Sequence, residues 1–270
     1  MFVDSHCHLN FPELKSQIVG IRAAMQQALV THALVISTTL EEFPSVHDMA
    51  STYENFWSTV GVHPDNQTTQ DGAPIQEPTV DDLLTRAALP KVVGIGETGL
   101  DYYRLEGRSL ADMAWQRERF RVHIRAAQAC QKPLVIHTRS SSDDTIAILK
   151  EMHEDGRKGA AGGVFHCFTE TVDVARAALD LGFHISFSGI LTFKNAQSIR
   201  DAASFVPLER CLIETDSPYL APTPYRGKTN TPAYVPYVAH ELARVKGLDV
   251  SAIASQTTDN FFQLFKDVTR

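Results

Sequence analysis

Eight apolar, strand-like runs recur along this 270-residue chain, and their alternation with helix-like stretches limits the fold more than any other feature. The runs are Phe2–His8, Ala33–Thr38, Phe56–His63, Val92–Glu97, Leu134–His137, Gly163–Phe168, His184–Ser188 and Cys211–Asp216. Most are continuously apolar, as expected of parallel strands covered on both faces. Between them, helical spacing marks Pro12 to about Leu29, Leu110–Cys130, Ser142–Glu154 and Thr171–Leu181, the last stopping at Gly182. Two further helical stretches, Pro236–Lys246 and Val250–Lys266, follow the last strand. Eight such units at this length predict an α/β fold, a (β/α)8 barrel with extra C-terminal helices. A doubly wound open sheet is the alternative that strand count leaves open. Nothing in composition divides residues 1–270, so a single domain is expected. Two long loops are expected, Thr68–Pro78 and Ser217–Pro232, the second on the face where barrel enzymes carry their sites.

The formal net charge of −7 argues against broad electrostatic attachment to nucleic acid, though not against a substrate gripped locally. No run of about 18 apolar residues offers a membrane span. With a strand beginning at residue 2 and no basic, apolar leader, the chain is expected in the cytoplasm. The four cysteines lack metal or redox spacing and are read as reduced thiols. Cys7 and Cys167 each adjoin a candidate ligand histidine and are expected to point the other way, into packing.

Polar residues stand at the C-terminal ends of these runs. They are His6 and His8 on the first, His63 on the third, Glu97 on the fourth, His137 on the fifth, His166 on the sixth and Asp216 on the eighth. In a closed barrel those ends form a ring. His6 and His8, two apart on a strand, face one way and make a chelating pair. Burying Glu97 and Asp216 together without cations costs several kcal/mol, roughly the penalty of desolvating unpaired charge. Divalent ions remove that cost, and the set suffices for two of them with a position left for water. His63 has a second reading, as a substrate contact. His32, His47, His123, His153 and His240 are read as surface residues, and His184 as lying at the far strand end. Gly94-x-Gly96-x-x-Gly99 matches the dinucleotide fingerprint in letters only. Glu97 inside it would repel a pyrophosphate, and no clear helix follows. These glycines are read as allowing close backbone packing around Glu97.

The segments His6-x-His8, Gly61-Val62-His63-Pro64, Gly96-Glu97-Thr98-Gly99-Leu100-Asp101, Ile136-His137-x-Arg139, His166-Cys167-Phe168 and Glu214-Thr215-Asp216-Ser217-Pro218-Tyr219-Leu220-Ala221-Pro222 occur in that order. Arg226-Gly227-Lys228-x-Asn230-x-Pro232 extends them. Together, from residue 2 to about residue 260, the chain resembles the TatD family of metal-dependent deoxyribonucleases. The resemblance implies a TIM barrel of the amidohydrolase-like kind with two divalent ions. It implies that His6, His8 and Asp216 hold one ion, His137 and His166 the other, and that Glu97 bridges them. It also implies action on DNA, commonly from an end, although some members have been linked to other phosphodiester or ester substrates.

On this reading Asp216 is the general base, and Glu97 and His63 complete the catalytic set. The ions are expected to be zinc, manganese or magnesium. Arg139, two residues past a ligand histidine, is the foremost candidate to grip phosphate, with Arg226, Lys228 and Lys194 on neighbouring loops. Tyr102, Tyr103, Phe193 and Tyr219 are candidates to stack on bases of single-stranded or frayed DNA ends. Glu214 and Asp4 share strand parity with Asp216 and His6, and each could orient a ligand ring or serve the barrel floor. No membrane contact or obligate protein partner is expected. Two other readings survive: a metallohydrolase of a small ester, amide or phosphoester, and a non-catalytic metal-binding barrel.

Overall fold

The computed structural model describes residues 1–69, 71–156 and 158–270. Its strands are β1 (Phe2–Cys7), β2 (Val30–Val35), β3 (Phe56–Val60), β4 (Val92–Asp101), β5 (Leu134–Arg139), β6 (Gly163–Phe165), β7 (His184–Phe187) and β8 (Cys211–Ile213). They lie side by side in chain order, every neighbouring pair parallel. The ends of the sheet meet where Cys7 bridges Ser217. There the His8 N–H donates to the Ser217 carbonyl at 2.8 Å, and the Asp216 N–H to the His6 carbonyl at 2.9 Å. The result is the TIM barrel that the alternating pattern predicts, and its closing seam runs through three of the candidate ligands.

The helices among the described residues are α1 (Pro12–Lys15), α2 (Ile18–Gln27), α3 (Phe43–Thr52), α4 (Val80–Ala87), α5 (Ala114–Cys130), α6 (Ser142–Glu151), α7 (Val172–Asp180), α8 (Gln197–Phe205), α9 (Val235–Lys246) and α10 (Val250–Leu264). The one helix expected over Pro12–Leu29 is two. Ser16 Oγ and Gln17 Nε2 donate to the carbonyls of Pro12 and Glu13, a local bonding that competes with continued helix. Helices α3, α4 and α8 were not expected. A capping box at Thr79 and Asp82 starts α4, and it was legible in the sequence. The expected loop Thr68–Pro78 includes residue 70, which lies outside the described residues; Thr68 and Pro74 form an isolated bridge within it.

Two apolar clusters hold the barrel. The larger packs the helices onto the outer faces of the strands. The second gathers Val3, Trp57, Val93, Val135, Val164 and Leu212, each one residue in from its strand start, against Phe261 of α10 and Phe265 just past its end. The extra C-terminal helix therefore plugs the end opposite the strand C-termini, leaving the other end open for chemistry.

His123 corrects the surface reading. It lies on the buried face of α5, with no exposure, donating from Nδ1 to the Arg119 carbonyl at 2.8 Å. Its Nε2 accepts the Val62 N–H at 3.0 Å. Burial pushes its pKa down to about 4. As pH falls below the ordinary histidine value of 6.5, the unfolded chain takes up a proton that the folded one refuses. The associated stability is complete above about pH 6.5 and is lost as pH falls towards 4. His123→Gln in metal-free protein is expected to lose about 2–3 kcal/mol less stability than wild type between pH 7 and 4.5. Urea unfolding at both pH values reads this, and equal losses in the two proteins would refute it.

Candidate metal centre

The seam brings the first donors together. His6 ends β1 beside His8, and Asp216 follows β8 with φ 56°, tied by its N–H to the His6 carbonyl. Glu97 stands inside β4 with its N–H on the Ser37 carbonyl at 2.9 Å. Here the fingerprint glycines show their use. A Cβ on Gly96 would lie 2.6 Å from the Val135 carbonyl oxygen, and one on Gly99 would lie 2.0 Å from that of His137. Without side chains there, β4 lies close against β5 and sets Glu97 beside His137.

Four atoms surround one point. His6 Nε2 lies 3.3 Å from His8 Nε2, 3.4 Å from Glu97 Oε2 and 3.6 Å from Asp216 Oδ1. His8 Nε2 lies 3.4 Å from Asp216 Oδ1 and 3.8 Å from Glu97 Oε2. A tetrahedral ion with bonds of about 2.0–2.2 Å spaces its ligands at roughly 3.3–3.6 Å. The His6–His8, His6–Glu97, His6–Asp216 and His8–Asp216 separations fall in that range, and the His8–Glu97 separation is longer. The other oxygen of Glu97 faces a second group. Oε1 lies 2.8 Å from His166 Nε2, 3.2 Å from His137 Nδ1 and 3.5 Å from His63 Nε2. Glu97 thus presents one oxygen to each set.

The outer nitrogens differ: among the described residues, His6 Nδ1 and His8 Nδ1 are buried without a hydrogen-bond partner, whereas that of His166 faces a carboxylate. Glu214 Oε1 accepts the Cys167 N–H at 2.7 Å and lies 3.4 Å from His166 Nδ1. Asp4 differs: its carboxylate accepts the Thr215 N–H at 2.9 Å and the Thr215 hydroxyl at 2.5 Å, so it braces the end of β8 rather than the His6 ring. Burial pushes the Asp4 carboxyl up to about 7. Burial also opposes ionisation of Glu97, but His166, His63 and His137 outweigh it and hold the carboxyl well below the carboxylate range. Asp216 is likewise lowered, its burial outweighed by His8, His6 and His166. Against the burial of each ring, Asp216 and Glu97 raise His8, Asp101 and Glu97 raise His137, and Glu97 and Glu214 raise His166 most, whereas burial and His166 lower His6.

His63 behaves differently. Its Nδ1 accepts the Asp65 N–H at 3.1 Å, so the ring proton sits on Nε2, which faces Glu97. Burial pushes its pKa down to about 3, which keeps the ring neutral. Arg119 fixes this loop, donating to the carbonyls of His63 at 2.9 Å and Asn66 at 2.8 Å and pairing with Glu77. With its Nδ1 lone pair engaged by backbone, the ring offers an N–H inward, beside Glu97 and His137. His63→Ala is therefore expected to keep the metal content of wild type, read by atomic emission on the dialysed protein. Loss of one equivalent would overturn that assignment.

Above the donors opens a cavity of about 620 Å³ lined by Asp216, Arg139, Arg104, Tyr219 and Cys167 among others. The Arg139 guanidinium lies 3.6 Å over the exposed Tyr103 ring. Cys167 lines this cavity with its thiol 3.2 Å from the Ser188 hydroxyl, which corrects its reading as a purely packing residue. Cys7, by contrast, is fully buried against the Leu34 carbonyl. Arg226, Lys228, Lys194 and Phe193 lie outside the cavity lining. Arg226 stacks 3.5 Å over Phe193, and Lys228 sits 5.6 Å over Tyr225. Asp101 and Arg104 line the cavity and were not singled out from the sequence. Asp101 ends the strand that carries Glu97, four residues on, and that shared strand was the available signal.

A barrel with this donor set at the C-terminal ends of its strands is a metal-dependent hydrolase. The chain belongs to the TatD related DNase family, whose model matches residues 3–266. It is 44% identical over 267 residues to the metal-dependent hydrolase YcfH of Escherichia coli K12, covering 97% of this chain and 95% of that one. It is 32% identical over 241 residues to the 3'-5' ssDNA/RNA exonuclease TatD of Escherichia fergusonii, covering 87% and 88%. The crystal structure of YjjV, a TatD homolog from Escherichia coli K12, superposes with a TM-score of 0.86 at 26% identity, covering 98% of both chains. No helix among the described residues is long and apolar enough to cross a membrane.

Proposed function

We propose that this protein is a deoxyribonuclease that hydrolyses phosphodiester bonds at the ends of single-stranded or frayed DNA with two divalent ions, zinc, manganese or magnesium. The observation that carries this reading is the convergence of His6 and His8 with the carboxylates of Glu97 and Asp216, each ring Nε2 within 3.8 Å of both acids, at separations that could hold a cation. In this reading His6, His8 and Asp216 would hold the first ion, His137 and His166 the second, and Glu97 would serve both. Such ions lower the pKa of a bound water and neutralise charge on a phosphoryl group. Asp216, ionised and lining the cavity, takes the proton of the attacking water. His63 donates from Nε2 towards a phosphoryl oxygen, the direction its tautomer leaves open. Arg139, held over Tyr103, receives a phosphate with two parallel bonds.

The cavity has the volume of a small-ligand site and is lined on one side by exposed Tyr219, which suits a strand end better than the side of a duplex. The name of the Escherichia fergusonii relative supports the same substrate class. The test is digestion of end-labelled DNA by metal-stripped protein, restored one ion at a time, beside RNA and small ester and amide substrates. Stepwise loss of terminal nucleotides, faster on single strands than on blunt duplex, is the expected result. Turnover of an ester or amide with none of DNA would transfer the assignment to a small-molecule metallohydrolase.

A further inference from the structure

Of the three imidazoles at Glu97 Oε1, the nearest two approach through different nitrogens, His166 by Nε2 and His137 by Nδ1. Each ring has a carboxylate behind it. Glu214 stands at His166 Nδ1, and Asp101 Oδ2 stands 3.1 Å from His137 Nε2. Asp101 is 5% exposed and held on three sides. Its Oδ1 accepts the Tyr103 N–H at 2.9 Å. Gln116, fully buried on α5, accepts the Asp101 N–H at 2.9 Å and donates to the Asp101 carbonyl at 3.0 Å. That double bond pattern fixes the Gln116 amide orientation and anchors the end of β4 to α5.

A neutral imidazole carries one N–H and one lone pair, and an ionised carboxylate only accepts. His137 stands between two acceptors, Glu97 Oε1 at Nδ1 and Asp101 Oδ2 at Nε2. With a cation taken up on the Glu97 side, the one ring proton stays on Nε2, against Asp101. The lone pair is then on Nδ1, directed at the side of Glu97. We infer that Asp101, braced by Gln116, is a positioning residue that selects the tautomer of His137 and makes Nδ1 its metal-facing donor. This inference rests on the metal reading above. It adds that the two rings of the second site are wired in opposite senses, each held by its own carboxylate. Partners of this kind orient a ligand ring and raise its basicity.

The experiment uses full-length protein and zinc. Long-range proton–nitrogen spectra of the histidine rings in zinc-loaded wild type should show His137 protonated at Nε2 and His166 at Nδ1. Zinc titration against a competing chelator should show Asp101→Ala weakening one of two bound equivalents by about 10- to 100-fold and leaving the other unchanged. Asp101→Asn, whose oxygen still accepts the ring proton, should recover part of that loss. A His137 proton on Nδ1 in loaded wild type overturns the inference without any variant. Unchanged affinity for both equivalents in a folded Asp101→Ala protein overturns it as well. Wild type that binds no zinc at all would instead remove the metal reading, so the two failures are separable.

Discussion

Asp216→Asn is expected to fold, to bind divalent ions at saturating concentration, and to lose about 100- to 10,000-fold in kcat, the range of a removed general base. The geometry explains why the two properties separate. His6 and His8 both meet Oδ1, at 3.6 and 3.4 Å, and the Asn side chain retains an oxygen at that place. The asparagine cannot accept a proton at the second position, where the carboxylate can. The backbone N–H of residue 216 also stays on the His6 carbonyl, so the barrel seam does not depend on the side chain. The check is turnover of a labelled oligonucleotide by variant whose metal content has been measured. Near-wild-type turnover in fully loaded variant would remove Asp216 from the base position.

Stripping the ions is expected to abolish turnover and to lower thermal stability, both reversibly. Without cations, Glu97, 3% exposed, and the carboxylate of Asp216 remain among buried imidazoles that must carry protons to balance them. An ion that binds only the folded chain stabilises it by mass action, about 2.7 kcal/mol per site at a hundredfold excess over Kd. For a chain of this length that corresponds to roughly 5–10 °C in the midpoint of unfolding per site. Differential scanning calorimetry with chelator, then with zinc or manganese returned, reads the shift alongside activity. Identical melting with and without ions would show that the cluster at the seam is not a metal site.

The apolar strand runs and the His6-x-His8 pair were legible because both are local. A strand covered on two faces has to be apolar, and residues two apart on it face one side whatever the rest of the chain does. The strand ends near His137, His166 and Asp216 followed from the same runs, whereas β4 continues past Glu97, where its run was expected to end, to Asp101. The helices α3, α4 and α8 were less visible because short surface helices are set by packing as much as by pattern, although the Thr79–Asp82 box announced one of them. His123 could have been placed by its helical spacing with Phe120 and Ile124, both fully buried.

Sequence alone determined that this chain would run eight parallel strands and set imidazoles and acids towards their C-terminal ends, because strand polarity and side-chain parity are short-range properties. Closure into a barrel instead of an open sheet was decided by the meeting of the first strand with the segment after the last. Only tertiary structure decided which nitrogen each ring presents. For His166 and His137 that choice depends on partners distant in sequence, Glu214 and Asp101, the latter brought opposite its ring by the register of β4 against β5. For His63 it depends on the turn that folds the Asp65 N–H back onto the ring. A hydrogen bond selects a tautomer through contact within about 3 Å, and no spacing along a chain encodes such a contact between strands.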